Sequence, residues 1–359
     1  MPEVIDWQIA EKVAVRATGS EPFSKSYHYA SLQPDFERFT AQAEQAVASE
    51  TGLHSLSGAA RARVTDRPGW VRANLASFRR LLRPLTDRFG ERLAQGPAAP
   101  IARGVAGAEL GALLGWMSTR VLGQYDLLVI EDEAPEEQDL VYYVGPNVLG
   151  LERRFAFPPD EFRLWLALHE LTHRAQFTGV PWMREHFLGL VEITLGGLDP
   201  DPARLLRGLT QAVTEFRAGR NPLDDGGIAV LFASPEQRNA LEHLSGLMSL
   251  LEGHGDVTMD RAGAADIPSA DRFSRILHQR RAQVNPAMKL LQKLIGLDAK
   301  MKQYEAGERF IEVAEKAAGP RTIDLAWAEP ANLPTLSEIR APETWLARMG
   351  LVAPTSATA

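Results

Sequence analysis

Apolar residues recur at the three-to-four spacing of amphipathic helices along most of the chain. In LASFRRLLRPLTDRFGERLA, Leu75, Phe78, Leu82 and Leu85 follow that period, and residues 1 to 100 read as helices joined by polar turns, with PAAP at 97 to 100 as a joint. A small-residue helix is expected from 102 to 121. Its Gly107, Gly111 and Gly115 recur every four residues and line one face, where another backbone can approach closely. The pattern then changes: LLVI at 127 to 130 and LVYYV at 140 to 144 read as strands either side of the acidic loop EDEAPEEQD. That loop lacks the Gly and the alternate spacing of a calcium loop, so it reads as solvated. A helix follows Phe157-Pro158-Pro159, with Asp160 as expected N-cap, and closes at Gly179 ahead of Pro181. Further helices are predicted at 181 to 196, at 235 to 261 after the capping pattern Ser234-Pro235-Glu236-Gln237, and at 286 to 317 after Asn285. From Gly319 the chain is Pro-rich and reads as a surface strap carrying Trp327 and Trp345, with VAPTSATA disordered at its end. The fold class is mainly α (α+β), with a helical region at 1–100, a central region at 101–318 and the strap at 319–359.

With 45% hydrophobic residues against 24% charged in 359, the chain can bury a large core. The absence of cysteine excludes disulfides, a thiolate nucleophile, iron–sulfur clusters and Cys-built zinc fingers together. Any metal must be held by imidazole and carboxylate. A net charge of −7 gives no attraction for phosphate backbones or anionic lipid, so neither nucleic acid nor membrane is an expected partner. No apolar run is long enough for a membrane span or a secretory leader, and a cytoplasmic protein is expected.

The chemistry concentrates in FRLWLALHELTHRAQF, where His169-Glu170-Leu171-Thr172-His173 forms an H-E-x-x-H inside a segment that independently reads as a helix. A spacing of four places both imidazoles on one face, one turn apart, where they can converge on zinc, while Glu170, about 100° around the helix, can reach a metal-activated water. Chance would produce such a match in a chain of this composition about once in a hundred. The alternative is two core histidines satisfied by neighbouring carbonyls, which would need two separate acceptors.

A catalytic zinc needs a third protein ligand. The longer pattern with a third His fails, because Gln176 stands at its Gly and Gly179 at its His. Glu192, 18 residues beyond His173, and Glu252 in Glu252-Gly253-His254-Gly255-Asp256 are the two carboxylate candidates. Glu252 is favoured because Asp256 shares its helix face and can accept the outer N–H of a ligand His. Gly253 and Gly255 each cost a helix about 1 kcal/mol, which is reasonable if the backbone passes close to the metal helix. His254 and Tyr304 are candidates for stabilising an oxyanion.

These residues also carry a likeness. HELTHRAQF at 169 to 177 and LMSLLEGHGDVTMD at 247 to 260, supported by IDW, DRPGWVRANLASF, PWM, GLDAKMKQYEAG and the LPT, EI and PETW pieces of the tail, resemble the zincin-like metallopeptidases associated with deazaflavin coenzyme biosynthesis. The resemblance implies a mainly helical zincin-like fold with a small β unit before the HExxH helix, an added helical N-terminal region and a Zn²⁺ site. The combined expectation is a zinc metallopeptidase acting on a peptide or protein. His169, His173 and Glu252 would hold the metal, Glu170 would be the general base, and Asp256 would orient a ligand His. The sheet edge just upstream would receive extended substrate by strand addition. The rivals are a non-proteolytic scaffold that keeps its zinc site and a hydrolase of a small amide.

Overall fold

The computed structural model describes residues 5–21, 23, 25–82, 99–127, 139–196, 234–282 and 297–352, with the side chains of 196 and 278–305 outside the description. Most of the expected strand at 127 to 130, the first part of the helix expected from 286 and the VAPTSATA tail's end lie outside those residues. The elements are α1 (Trp7–Ala17), α2 (Tyr27–Thr51), β1 (Arg61–Thr65), α3 (Arg67–Leu81), α4 (Ala99–Ser118), β2 (Gly123–Tyr125), β3 (Leu140–Val144), α5 (Gly145–Phe155), α6 (Pro159–Gly179) and α7 (Met183–Gly196). They continue with α8 (Pro235–Gly263), α9 (Ala270–Ala282), α10 (Leu297–Ala318), two short 3-10 turns, α11 (Leu336–Arg340) and α12 (Pro342–Arg348). Among the described residues the structure is mainly helical, as the pattern predicts, with one three-stranded sheet: the strand expected at 140 to 144 is its centre, whereas β1 lies in a region read as helical and β2 ends before the strand expected at 127 to 130.

Two compact units result, one of residues 1–179 and 258–273, the other of 180–257 and 274–359. Helix α8 is continuous and contributes to both. In the first unit the sheet order is β1-β3-β2, with β1 parallel and β2 antiparallel to the central β3. Every residue of β3 is buried, which its unbroken LVYYV run requires. Tyr143 stacks on Phe36 of α2 at 3.8 Å and satisfies its hydroxyl on Thr40 at 2.9 Å. The outer edge of β1 is closed by Gln33, whose amide accepts from Val64 N–H at 2.8 Å and donates to the Ala62 carbonyl at 3.0 Å. A side chain there does what another strand would do, and the edge cannot extend.

The glycine stripe of α4 lies against α1. Methyl groups at Gly107 and Gly111 would collide with the Asp6 and Ala10 carbonyls, and one at Gly115 would stand 2.5 Å from Ala17 Cβ. Around this contact Ala10, Ala14, Trp70, Val71, Leu75, Leu114 and Val144 form a buried cluster.

In the second unit Ser234 and Gln237 cap α8 reciprocally, with Gln237 N–H donating to Ser234 Oγ at 3.1 Å and Ser234 N–H to Gln237 Oε1 at 2.8 Å. The Pro-rich tail departs from the expected surface strap. Trp345 is wholly buried on Phe310, because its indole N–H reaches the Asn332 carbonyl at 2.8 Å and leaves no unsatisfied donor.

Candidate metal centre

Helix α6 carries the HExxH residues and is buried on almost every side. It begins at Pro159, so Asp160 lies in its first turn rather than at its N-cap, where its charge still favours the helix dipole. Polar side chains on so enclosed a helix must find partners. Arg163 does so through a two-pronged ion pair with Glu152, at 2.8 and 2.9 Å, and a further bond to Asp35. Thr172 and Thr178 bond back to Leu168 and Arg174 carbonyls.

His169 and His173 are only half-buried, and their Nε2 atoms face one another at 3.2 Å. Two zinc–nitrogen bonds of about 2.0–2.1 Å at a tetrahedral angle would put the nitrogens about 3.3 Å apart, so the pair is already spaced for one ion. His173 Nδ1 lies 3.0 Å from Gln176 Oε1. The carbonyl oxygen can only accept, so Nδ1 carries the proton and Nε2 is left with its lone pair toward His169. Sequence reasoning met Gln176 only as the residue that breaks a longer zinc motif. Its i+3 spacing from His173 was the available signal.

Glu252, on α8, completes a donor set: one ligand atom from each of His169, His173 and Glu252 lies within 4.8 Å of the others, and this group could hold a metal ion. Two imidazoles and a carboxylate are the donor chemistry of a zinc site with a position left for water. Glu192 is exposed on α7 and outside that group. Asp256 follows Glu252 by one turn of α8 and is half-buried.

At Gly253 the close approach expected from the metal helix is made by another helix. The backbone that passes Gly253 belongs to α10: a methyl there would collide with Gly307, and one at Gly307 would collide with the Ser249 carbonyl. His254 is buried with its ring edge-on to Trp327 at 5.1 Å. The side chain of Tyr304 lies outside the described residues.

Glu170 is buried, and its Oε2 accepts the Tyr125 backbone N–H at 3.0 Å. Its charge is one cause, after burial itself, that pushes the Tyr143 hydroxyl's pKa upward. One residue past His173, Arg174 is the most enclosed cation described. It donates to Asp139 from Nη2 at 2.6 Å, to Glu44 at 2.6 Å and to the Gly58 carbonyl at 2.9 Å.

Against known proteins, the model of the zincin-like metallopeptidase family matches residues 5–346. The chain belongs to that family. Membership supports a hydrolase and implies a metal, zinc being the family's usual one. It is also similar, at 28% identity and a TM-score of 0.68, to a crystal structure from Chloroflexus aurantiacus described as a candidate hydrolase with a novel fold, over 96% of this chain and 99% of that one. No curated protein matches the chain. Neither likeness carries the deazaflavin association. Among the described residues no helix is long and apolar enough to cross a membrane.

Proposed function

We propose that this protein is a zinc metallopeptidase in which His169, His173 and Glu252 hold the metal and Glu170 is the general base. The observation that carries the reading is the pair of Nε2 atoms facing each other at 3.2 Å, with a glutamate oxygen in the same donor group. When bound, zinc supplies Lewis acidity for a carbonyl and acidifies a water. Glu170 sits one residue after a ligand and on a different helical face, so it takes the proton of the attacking water without binding the metal. Its Oε2 is engaged by the Tyr125 amide, and Oε1 is the atom assigned to receive that proton. Gln176 keeps His173 in the tautomer that binds through Nε2. A purely structural zinc would have no use for a buried carboxylate at 170, which favours an enzyme over a scaffold.

Strand addition of an extended peptide, expected at the sheet edge, is narrowed by two observations. The β1 edge is closed by Gln33, and the Tyr125 N–H on β2 is taken by Glu170. The test is hydrolysis of a mixed peptide library by zinc-loaded wild type and Glu170→Gln. Cleavage by the wild type, lowered at least about a hundredfold in the variant, supports the proposal. Zinc-loaded wild type that cleaves no peptide would hand the reading to a scaffold or a small-amide hydrolase.

A further inference from the structure

Strand β2 is three residues long, yet four separate side chains anchor it. The ladder bonds from Asp126 N–H to the Leu140 carbonyl and from Val144 N–H to the Leu122 carbonyl, both 2.8 Å, put the hydrogen-bonded positions at 122, 124 and 126. In an antiparallel pair the intervening residues turn their amides away, so Gly123 and Tyr125 face the outer edge. Glu170 is seated there. Its Oε2 accepts from Tyr125 N–H, and a methyl group at Gly123 would stand 2.7 Å from its Cγ and Oε1 and 2.9 Å from its Cδ. No residue but glycine leaves room for the carboxylate at that spot.

The same tyrosine is tied to the same helix a second time. Tyr125 hydroxyl donates to Asp139 Oδ1 at 3.0 Å, and Asp139 accepts from Arg174 Nε and Nη2. Glu170 and Arg174 are one turn apart on α6, so the strand is held to the helix at two points on one face. Asp139 adopts a left-handed backbone (φ 53°), a conformation uncommon outside Gly, Asn and Asp, and the ion pair with Arg174 accompanies it. From the opposite side, Trp70 Nε1 donates to Gln124 Oε1 at 2.7 Å, and Gln124 Nε2 donates to Asn74 Oδ1 at 3.0 Å. The strand's position is therefore set independently of Glu170.

We propose that Gly123 and Tyr125 are positioning residues for the general base: the edge of β2 sets where the Glu170 carboxylate stands. This rests on the reading of Glu170 as base. A glutamate has a flexible stem, whereas proton transfer needs hydrogen-bond reach, and misplacement by about 1 Å can cost about a hundredfold in rate. Neither residue touches substrate in this role. They act through Glu170, so their loss lowers kcat and spares KM.

The experiment uses zinc-loaded full-length protein labelled with ¹⁵N-tyrosine, which limits the amide spectrum to six signals. Glu170→Gln identifies the Tyr125 amide by shifting it. Gly123→Ala is expected to keep its zinc, move the same signal, and lower kcat at least about tenfold with KM within about twofold of wild type. Tyr125→Phe keeps the amide but loses the bond to Asp139, and a severalfold fall in kcat at constant KM is expected; this milder variant carries the test if Gly123→Ala does not fold. Gly150→Ala, where an added methyl meets nothing within 4 Å, should change neither readout. Wild-type kcat in both Gly123→Ala and Tyr125→Phe would overturn the proposal, as would a spectrum in which none of the six tyrosine amides shifts in Glu170→Gln. If one shifts but wild type hydrolyses nothing, the hydrolytic reading itself falls, and the strand's catalytic role falls with it.

Discussion

His173 Nδ1 and Gln176 Oε1 stand 3.0 Å apart on consecutive turns of one helix, and this single bond decides which nitrogen of His173 is available to a metal. Most ligand histidines take that support from a distant carboxylate or carbonyl. Here the same helix supplies it, from a glutamine that is fully buried.

Replacing Gln176 by Leu removes the acceptor while keeping the volume. Zinc affinity should fall about 10- to 100-fold with the fold intact, measured by competition against a chromophoric chelator. Unchanged affinity would mean that the bond does not set the tautomer.

The ligand set predicts an ordering. His169→Ala and His173→Ala should each lose zinc, and Glu252→Gln should bind it orders of magnitude more weakly, whereas the exposed Glu192→Gln should bind as wild type does. Elemental analysis after dialysis reads the result directly. Loss of zinc in Glu192→Gln with retention in Glu252→Gln would reverse the assignment.

Arg174→Met should destabilise the protein by about 3–5 kcal/mol, because it leaves Asp139 facing a buried site without its cation. Asp139→Asn together with Arg174→Met should recover part of that loss. Urea titrations of the single and double variants give the coupling, and additive effects would show that the two groups do not act as a pair.

Glu338 supplies a pH-dependent prediction. Burial works against its charge, but hydrogen bonds and attraction from Arg348 and the bond from Thr335 N–H outweigh it, and its pKa lies below the ordinary glutamate value. A depressed acid stabilises the fold above its unfolded pKa, about 4.3, and that contribution is lost as pH falls through the lower folded value. Glu338→Gln should therefore be less stable than wild type at pH 7, and the gap should narrow on acidification below about pH 4. A gap independent of pH would place the effect in packing rather than charge.

The helical character, the central LVYYV strand, the Ser234 cap and the His169–His173 pair were legible because each depends on neighbours within a few residues. A period of 3.6, an unbroken apolar run or an i, i+4 spacing survives into the fold whatever packs against it. The glycine stripe on α4 was legible for a related reason: three glycines on one face announce a close approach, and α1 makes it. The partner of a glycine is not local. Gly253 shows only that some backbone comes near, and α10 rather than the metal helix does so through Gly307. The short β2 strand carries no apolar run of its own. It exists because β3 offers a pairing edge, and its outer amide meets Glu170 only because α6 lies beside it. The chain's own order of residues determined which groups can do chemistry. The tertiary structure decided how they are held, since a tautomer, a seat for a carboxylate and a buried ion pair are set by atoms brought together from distant parts of the chain.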